Sequence, residues 1–231
     1  MRSGWLCVRA LFIGLFAGFV LNGYGEEMKS DHKMRYVAIG DSYSIGEVAS
    51  PNESWPALLA RDLTAHGIAT ELVANPSRTG WTSQQAIERE LPVLVENAPD
   101  FATLQIGVND WVQGADEQTF RQRFVYLADR MLEVLKDKKR LLIVTIPDFS
   151  VTPNGPKYAR GRDISAGLTV FNQIIKEEAT RRGLRVVDVF ELSKKMKGDE
   201  SLVAADGLHP SAKEYAEWEK VIFPAALQML Q

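Results

Sequence analysis

A serine on a predicted turn is the first group in this sequence with the chemistry of a nucleophile. Ser42 lies in the segment Ile39–Ser44, between the apolar run Met34–Ile39 and the helical pattern Ser54–His66. A hydroxyl group on such a turn points outward at the carboxyl edge of a sheet, where open α/β folds bind their ligands. Because Gly-Asp-Ser is also ordinary turn chemistry, Ser42 needs partners before it predicts catalysis.

Three histidines are present, and only one has a setting that suits a general base. His32 lies in a polar segment near the N-terminus, and His66 precedes Gly67 at a predicted helix end, where it can cap the helix dipole. His209 follows Asp206 by three residues. The Asp206 carboxylate can therefore accept a hydrogen bond from one imidazole nitrogen while the other takes a proton from a hydroxyl group. Asp-x-x-His alone also fits a turn followed by a helix cap.

Two further segments carry groups that can hold a developing oxyanion. Asn75–Gly80 follows the second predicted strand, and Gly107–Asp110 follows the third. A glycine lets its backbone N–H approach a ligand closely, and the Asn109 amide is a neutral hydrogen-bond donor. Each segment alone fits an ordinary turn. All four segments follow predicted strands, however, so one sheet edge can bring them together.

The elements that must position these residues are alternating strands and helices. Candidate strands are Arg35–Ile39, Thr70–Ala74, Phe101–Ile106, Leu141–Ile146 and Leu184–Val189, mostly apolar runs of the kind that parallel sheets bury. Predicted helices cover Thr82–Leu91, Glu117–Lys138, Ile164–Arg182 and a last helix from Pro210, which Pro224 should kink or end. This alternation predicts βαβ units and a three-layer α/β/α sandwich.

The connection Pro147–Gly161 is long for a loop in a compact domain. It contains three prolines and two glycines, together with Lys157, Tyr158 and Arg160. Loops of this kind often act as lids or binding loops, and a plain surface excursion fits the sequence equally well.

The N-terminal residues resemble a secretory signal peptide. Arg2 and Arg9 precede or interrupt an apolar run, and Ala10–Leu21 contains no polar side chain. This run is short for a membrane span and suits the apolar region of a signal peptide cleaved after Gly25. An uncleaved membrane anchor is the alternative, because Trp5–Val8 extends the apolar run. We predict a signal peptide or anchor at residues 1–25, a polar linker at 26–33 and one domain at 34–231.

Composition excludes several classes of partner. A chain of 231 residues with 45% hydrophobic and 25% charged residues is typical of one globular domain. Its net charge of −3 offers no basic surface for nucleic acid. Cys7 is the only cysteine and lies inside the predicted leader, so the expectation of an exported protein, periplasmic or secreted, depends on the leader alone. We expect no cofactor and no metal, and membrane contact only through an uncleaved N-terminal segment.

The four polar segments together resemble the SGNH hydrolases, also called GDSL esterases and lipases. The matching blocks are Gly40–Ser42, Gly80, Gly107–Asp110 and Asp206–Pro210, within a resemblance that spans roughly residues 34–215. It implies that Ser42 is the nucleophile, His209 the base and acid, and Asp206 the orienting carboxylate. It also implies an oxyanion hole made by the backbone N–H groups of Ser42 and Gly80 and by the Asn109 side chain. The fold it implies is flavodoxin-like, with a mostly parallel five-stranded sheet.

The resemblance further implies a serine esterase that acts on a small-molecule, carbohydrate or lipid ester. A carbohydrate acetylesterase and a lysophospholipase-like lipase both fit. Arg78 and Trp81 flank Gly80, and Trp111 follows Asn109, so these three side chains are candidate substrate contacts, although tryptophans there can also simply pack.

Two alternatives to hydrolysis remain on the sequence alone. The first is a non-catalytic binding module on the same fold, against which the intact set of Ser42, Asp206 and His209 argues. The second is an O-acyltransferase that delivers the acyl group to a sugar hydroxyl. The nucleophile motif Gly-x-Ser-x-Gly is absent, because Ser44 stands where its second glycine would be.

Overall fold

The structure, a computed structural model, describes Met1 and residues 33–231 of the chain. Apart from Met1, the leader predicted at residues 1–25 lies outside the described residues, as does the linker up to residue 32. The predicted domain division and the cleavage site therefore stay predictions. Among the residues that are described, no helix has the length and apolar character needed to cross a membrane.

Five parallel strands form one sheet in the order β2-β1-β3-β4-β5. Their bounds are β1 Met34–Gly40, β2 Thr70–Ala74, β3 Phe101–Gln105, β4 Leu141–Val144 and β5 Arg185–Val187. Every residue of β3 and β4 is buried, as expected for apolar strands covered on both faces. Strand β5 is shorter than predicted because Asp188 begins the next turn by accepting a hydrogen bond from the Phe190 N–H at 3.0 Å.

Helices cover both faces of the sheet, which confirms the α/β/α sandwich. The α-helices of the described residues are α1 Ser42–Ile45, α2 Trp55–Ala65, α3 Ser83–Gln85, α4 Leu91–Asn97, α5 Val108–Gln113, α6 Glu117–Val134, α7 Ile164–Arg181, α8 Phe190–Ser193 and α9 Ala212–Leu230. Helix α2 packs on α9, whereas α4 packs on α6 and α6 on α7. In the strand order, the chain moves in one direction from β1 to β2 and in the opposite direction from β2 to β5. Because crossovers between parallel strands are right-handed, this reversal places α2, with α9 packed on it, on one face of the sheet and α4, α6 and α7 on the other.

The helix predicted from Thr82 is longer and less regular than expected. Thr82 and Gln85 form the predicted capping box, but a π-helical segment, Ala86–Glu90, then leads into α4. Pro92 falls in the first turn of α4, where a missing backbone N–H does no harm, so it does not end the helix. Helix α6 ends earlier than predicted, since Leu135 has an extended backbone.

The last helix begins two residues later than the prediction from Pro210. Its N-cap is Ser211, whose side chain accepts a hydrogen bond from the Glu214 N–H, while Pro210 pairs with Val203 in an antiparallel bridge. Of the two predicted effects of Pro224, a kink or the end of the helix, the end is wrong, because α9 continues to Leu230.

Candidate active site

Ser42 is the first residue of α1, and only Asp41 separates it from the end of β1. Asp41 caps this short helix by accepting a hydrogen bond from the Tyr43 N–H at 3.0 Å. Gly40 closes β1 where no larger residue fits, since a Cβ there would lie 2.1 Å from the Ser44 hydroxyl oxygen and 2.5 Å from the Gln105 carbonyl oxygen. The strand end, the glycine and the cap together hold Ser42 at the edge of the sheet.

Asp206 and His209 form a closed turn before α9. One Asp206 carboxylate oxygen accepts hydrogen bonds from the N–H groups of Leu208 and His209, at 2.9 and 3.0 Å. The other lies 2.6 Å from His209 Nδ1. Burial alone would raise the pKa of Asp206, but the bonds from the His209 ring and the two N–H groups outweigh it and hold this pKa below its usual value. Because Nδ1 is engaged, Nε2 is the imidazole nitrogen left to exchange a proton.

Ser42 and His209 line the same cavity, although they are far apart in the sequence. The cavity is lined by Ser42, Tyr43, Val108, Asn109, Val112, Phe149, Tyr158, Leu208 and His209. The Tyr43 ring also contacts the His209 ring, with centroids 5.6 Å apart. The structure thus brings a serine hydroxyl, an imidazole and an amide side chain to one opening.

The Asn109 side chain is oriented from outside the cavity. Its Nδ2 donates a hydrogen bond to the Trp81 carbonyl oxygen at 3.0 Å. A side-chain amide has two N–H donors, so the second remains for a ligand. Asn109 follows Gly107, whose φ of +127° and close contact with the Phe120 ring favour glycine at the start of α5.

Gly80 lies on an exposed turn beside this asparagine and does not belong to the cavity lining. Its φ is +82°, and its carbonyl oxygen accepts a hydrogen bond from Gln113 Nε2 at 3.1 Å. The turn is therefore tied to α5 at two points, through Gly80 and Trp81. Its role as an oxyanion donor stays a prediction.

The three candidate substrate contacts do not line the cavity. Trp111 is only 5% exposed, and Gly167 of α7 leaves room for its indole, which a Cβ there would meet at 1.8 Å. Packing, the alternative stated for the tryptophans, is therefore what is observed for Trp111. Arg78 is exposed, lines a separate depression beside Glu47, and has its guanidinium 5.7 Å from the centroid of the Trp81 ring.

Two aromatic wall residues were not singled out as substrate contacts from the sequence. Phe149 and Tyr158 both line the cavity, and their rings meet edge to face at 6.2 Å. Trp111 packs behind Phe149 at 6.4 Å. The available signal was the length of the connection Pro147–Gly161, which contains both residues.

Buried acids support the nucleophile turn from behind. Glu90 is fully buried and accepts a hydrogen bond from the Gly40 N–H at 2.9 Å. Burial raises the pKa of both Glu90 and Asp41 to about 8, and it also raises the pKa of Asp110 despite its bonds to Ser83. Sequence reasoning missed Glu90, although it shares a helical stripe with apolar neighbours four residues away on each side. Within residues 33–231, no three His, Cys, Asp or Glu side chains are grouped to hold a metal ion.

The fold and the cavity agree with a sequence match over most of the chain. The protein belongs to the GDSL-like Lipase/Acylhydrolase family, which matches residues 38–216. This confirms the resemblance carried by the four polar segments. The family is one of ester-bond hydrolases.

The chain is similar to several curated relatives and solved structures. An arylesterase of Vibrio mimicus is 26% identical over 126 residues, which are 54% of this chain and 60% of the relative. Thioesterase 1/protease 1/lysophospholipase L1 of Escherichia coli (strain K12) is 35% identical over 88 residues, or 36% of this chain and 40% of the relative. The chain thus spans less than two thirds of either relative. The crystal structure of TesA is similar with a TM-score of 0.66 and 23% identity, and the match covers 85% of this chain and 99% of the TesA chain. This similarity shows a shared fold.

Proposed function

We propose that the protein is a serine esterase that hydrolyses carboxylic ester bonds through an acyl-serine intermediate. The observation that carries this proposal is the 2.6 Å contact between Asp206 and His209 Nδ1, at a cavity that Ser42 also lines. Nucleophilic acyl transfer needs a hydroxyl group, an imidazole beside it and a carboxylate that orients the imidazole through one ring nitrogen. Here the hydroxyl group and the imidazole line the same cavity.

In the acylation step, His209 Nε2 takes the proton of the Ser42 hydroxyl as its oxygen attacks the ester carbonyl carbon. The imidazolium that forms is stabilised by the Asp206 carboxylate, whose lowered pKa keeps it charged. The tetrahedral intermediate then collapses, and His209 gives its proton to the departing alcohol oxygen. Water attacks the acyl-serine in the same way, and the acid is released.

The charge on the carbonyl oxygen needs donors that are already in place. We assign this role to the second N–H of the Asn109 amide, whose other N–H the Trp81 carbonyl holds at 3.0 Å. The backbone N–H groups of Ser42 and Gly80 are the further candidates. A donor that is oriented before the reaction loses little free energy to reorganisation, which is why such groups contribute strongly to catalysis.

The cavity walls favour an uncharged group next to the nucleophile. Apart from Asn109 and the reacting residues, the lining consists of Tyr43, Val108, Val112, Phe149, Tyr158 and Leu208. Transfer of a charged group into such surroundings is unfavourable. We therefore propose short acyl or aromatic esters as substrates, which agrees with the name of the Vibrio mimicus arylesterase. Carbohydrate acetyl esters and lysophospholipids are the classes to compare.

The test is hydrolysis of p-nitrophenyl acetate and butyrate by residues 26–231 and by the Ser42→Ala variant. We expect turnover by the wild-type chain and a loss of about 10³-fold or more in the variant, because the nucleophile is removed. Equal rates would exclude the acyl-serine mechanism. Binding of the ester without turnover would favour a non-catalytic module, and an acylated product with an added sugar acceptor would favour acyl transfer.

We also propose that the protein is exported, with the leader at residues 1–25 removed. The apolar run and the small residues that precede Glu26 support this proposal. Expression of the full chain in a Gram-negative host, followed by N-terminal sequencing of the periplasmic protein, tests it. A chain that starts at Glu26 supports cleavage, whereas an intact N-terminus in the membrane fraction supports the anchor.

A further inference from the structure

The long connection Pro147–Gly161, for which the sequence allows either a binding loop or a surface excursion, forms one wall of the cavity. Residues 148–162, here called the brace, contain two short 3₁₀-helices, Phe149–Val151 and Gly155–Tyr158. Phe149 and Tyr158, one in each, line the cavity. The brace thus lies beside Ser42 and His209 and is more than a surface excursion.

The start of the brace is fixed to the body of the domain by Asp148. This residue is buried, and its N–H donates a hydrogen bond to the Ser193 hydroxyl at 2.7 Å. Its carboxylate accepts bonds from the Ser165 hydroxyl at 2.7 Å and from the Ser150 N–H at 3.0 Å. Because α7 and α8 both hold this residue, the brace leaves the sheet from a fixed point.

The middle of the brace holds the turn that carries His209. Asn154 Nδ2 donates a hydrogen bond to the Asp206 carbonyl oxygen at 2.5 Å, and the Asn154 N–H donates to the Gly207 carbonyl oxygen at 2.8 Å. The fit is close, since a Cβ on Gly207 would lie 2.8 Å from Asn154 Nδ2. One residue therefore binds two successive carbonyl groups of the turn that orients the imidazole.

The end of the brace holds the helix that carries Asn109. The Arg162 guanidinium donates hydrogen bonds to the carbonyl oxygens of Trp111 at 2.8 Å and Val112 at 3.2 Å. It also lies 4.0 Å from the centroid of the Trp111 ring. These carbonyls belong to the last turn of α5, where the helix dipole favours a cation.

We propose that the brace positions both halves of the active site, with Asn154 holding the Asp206–His209 turn and Arg162 holding α5 with Asn109. The inference rests on the proposed function, since it gives these two residues a purpose in ester hydrolysis. Neither side chain touches the reacting atoms, so both are positioning residues. A shift of about 1 Å in a catalytic group can lower a rate by up to about 10²-fold, which makes such support valuable.

The test compares three variants: Asn154→Ala, Arg162→Ala and the control Lys157→Ala, an exposed brace residue. The measurements are kcat and KM for p-nitrophenyl butyrate, the melting temperature, and the downfield proton NMR signal of the bond between His209 Nδ1 and Asp206. We expect Asn154→Ala to lower kcat by about 10-fold or more with little change in KM, and to shift the NMR signal. Arg162→Ala should lower kcat by a similar factor without moving that signal. Lys157→Ala should match the wild type.

One conservative variant of each residue, Arg162 and Asn154, sharpens the comparison with its alanine variant. Arg162→Lys keeps the charge but loses the two-carbonyl fork, so its kcat should fall between those of wild type and Arg162→Ala. Asn154→Asp keeps the size of the side chain but turns an acceptor toward the Asp206 carbonyl, so it should be as impaired as Asn154→Ala. This isosteric variant tests the proposal should the alanine variant fail to fold.

The outcomes separate this inference from the proposed function. If the wild type hydrolyses the ester and the Asn154 and Arg162 variants match it in kcat and NMR signal, the brace has no positioning role and the esterase proposal stands. If the wild type cleaves no ester, the proposed function fails on its own. An NMR signal that is unchanged in both Asn154 variants would then overturn the brace proposal independently.

Discussion

The pKa values of carboxylic acids shift in opposite directions on the two sides of the cavity. On the His209 side, the Asp206 side chain is 34% exposed and bonds to three N–H groups, and its pKa lies below the usual value. On the Ser42 side, Asp41 and Glu90 are buried, accept a backbone N–H each, and have pKa values raised to about 8. Access to water and the number of donors therefore decide whether a carboxyl group is charged at neutral pH.

This difference suits the proposed chemistry. The imidazolium that forms during catalysis needs a negative partner, and Asp206 is held in the charged form. The carbonyl oxygen becomes negative near Ser42, where a second negative charge would oppose it. Glu90 supports the end of β1 and Asp41 caps α1, and their raised pKa values favour the protonated forms, which add no such charge.

The largest expected effect comes from replacing a carboxylate on the His209 side of the cavity, and it is compared with the same replacement on the Ser42 side. Asp206→Asn should lower kcat/KM by on the order of 10³- to 10⁴-fold, because the amide neither stabilises the imidazolium nor selects the productive tautomer. Asp41→Asn should stay within about threefold, since a pKa raised to about 8 favours the protonated form of Asp41 at pH 7 and the amide oxygen can still cap α1. Ester hydrolysis at pH 7 measures both. Equal losses in the two variants would show that the contrast between the acids has no part in catalysis.

A smaller effect is expected at Asn109, the proposed oxyanion donor in the cavity lining. Asn109→Ala should lower kcat by about 10²- to 10³-fold, because one preorganised donor is lost while the fold is kept. Gln118→Ala, at an exposed position of α6, serves as the control because its side chain lies outside the cavity lining. A drop in the melting temperature of Asn109→Ala that accounts for the lost activity would argue against a catalytic role.

Stability should respond to pH through Glu90. Its pKa of about 8 in the folded state exceeds its usual 4.5, so between these values the folded state keeps a proton that the unfolded state releases. Stability therefore falls as pH rises through this range, by at most about 1.4 kcal/mol per pH unit for this group. Glu90→Gln removes the titration, and its unfolding free energy relative to wild type should improve by about 1 kcal/mol or more from about pH 5.5 to 7.5.

Urea unfolding of wild type and variant at both pH values measures this difference. Glu96→Gln, at an exposed glutamate of α4, is the matched control. A relative stability of Glu90→Gln that does not change with pH would mean that Glu90 is charged in the folded protein.

The smallest effect has the opposite sign. The lowered pKa of Asp206 means that its charged form stabilises the fold above about pH 4, and that this contribution is lost as pH falls through its folded-state pKa. Asp206→Asn should therefore be less stable than wild type at pH 7 by a few tenths of a kcal/mol to about 1 kcal/mol, because the group is partly exposed. The difference should shrink when the pH is lowered from 7 to below the folded-state pKa of Asp206. A variant that is equally destabilised at both pH values would point to lost packing rather than lost charge.

Much of the fold was predictable because its signals are local. The strands are short apolar runs, and the structure places all five close to their predicted bounds. The capping box at Thr82 formed as its sequence indicated. The misjudged ends lie where a neighbour intervenes: Pro210 entered a bridge with Val203, and Pro92 followed a π-helical segment that adds a residue to the turn.

Features of the candidate site were likewise predictable where they depend on neighbouring residues and not where they depend on distant ones. The contact between Asp206 and His209 needs only a four-residue turn, so its residue types and spacing were enough to predict it. The burial of Trp111 depends on Gly167, and the brace depends on carbonyl groups of the Asp206–Gly207 turn far along the chain. No spacing in the sequence encodes such partners.

The sequence by itself determined the family, the parallel sheet, and the identity of Ser42, Asn109, Asp206 and His209 as candidates, because apolar runs and short polar turns act through neighbours along the chain. Tertiary structure decided which residues line the cavity, which tryptophan is core, and which acids have a raised pKa. Those properties depend on access to water and on donors supplied by other elements, and both exist only once the helices have packed on the sheet.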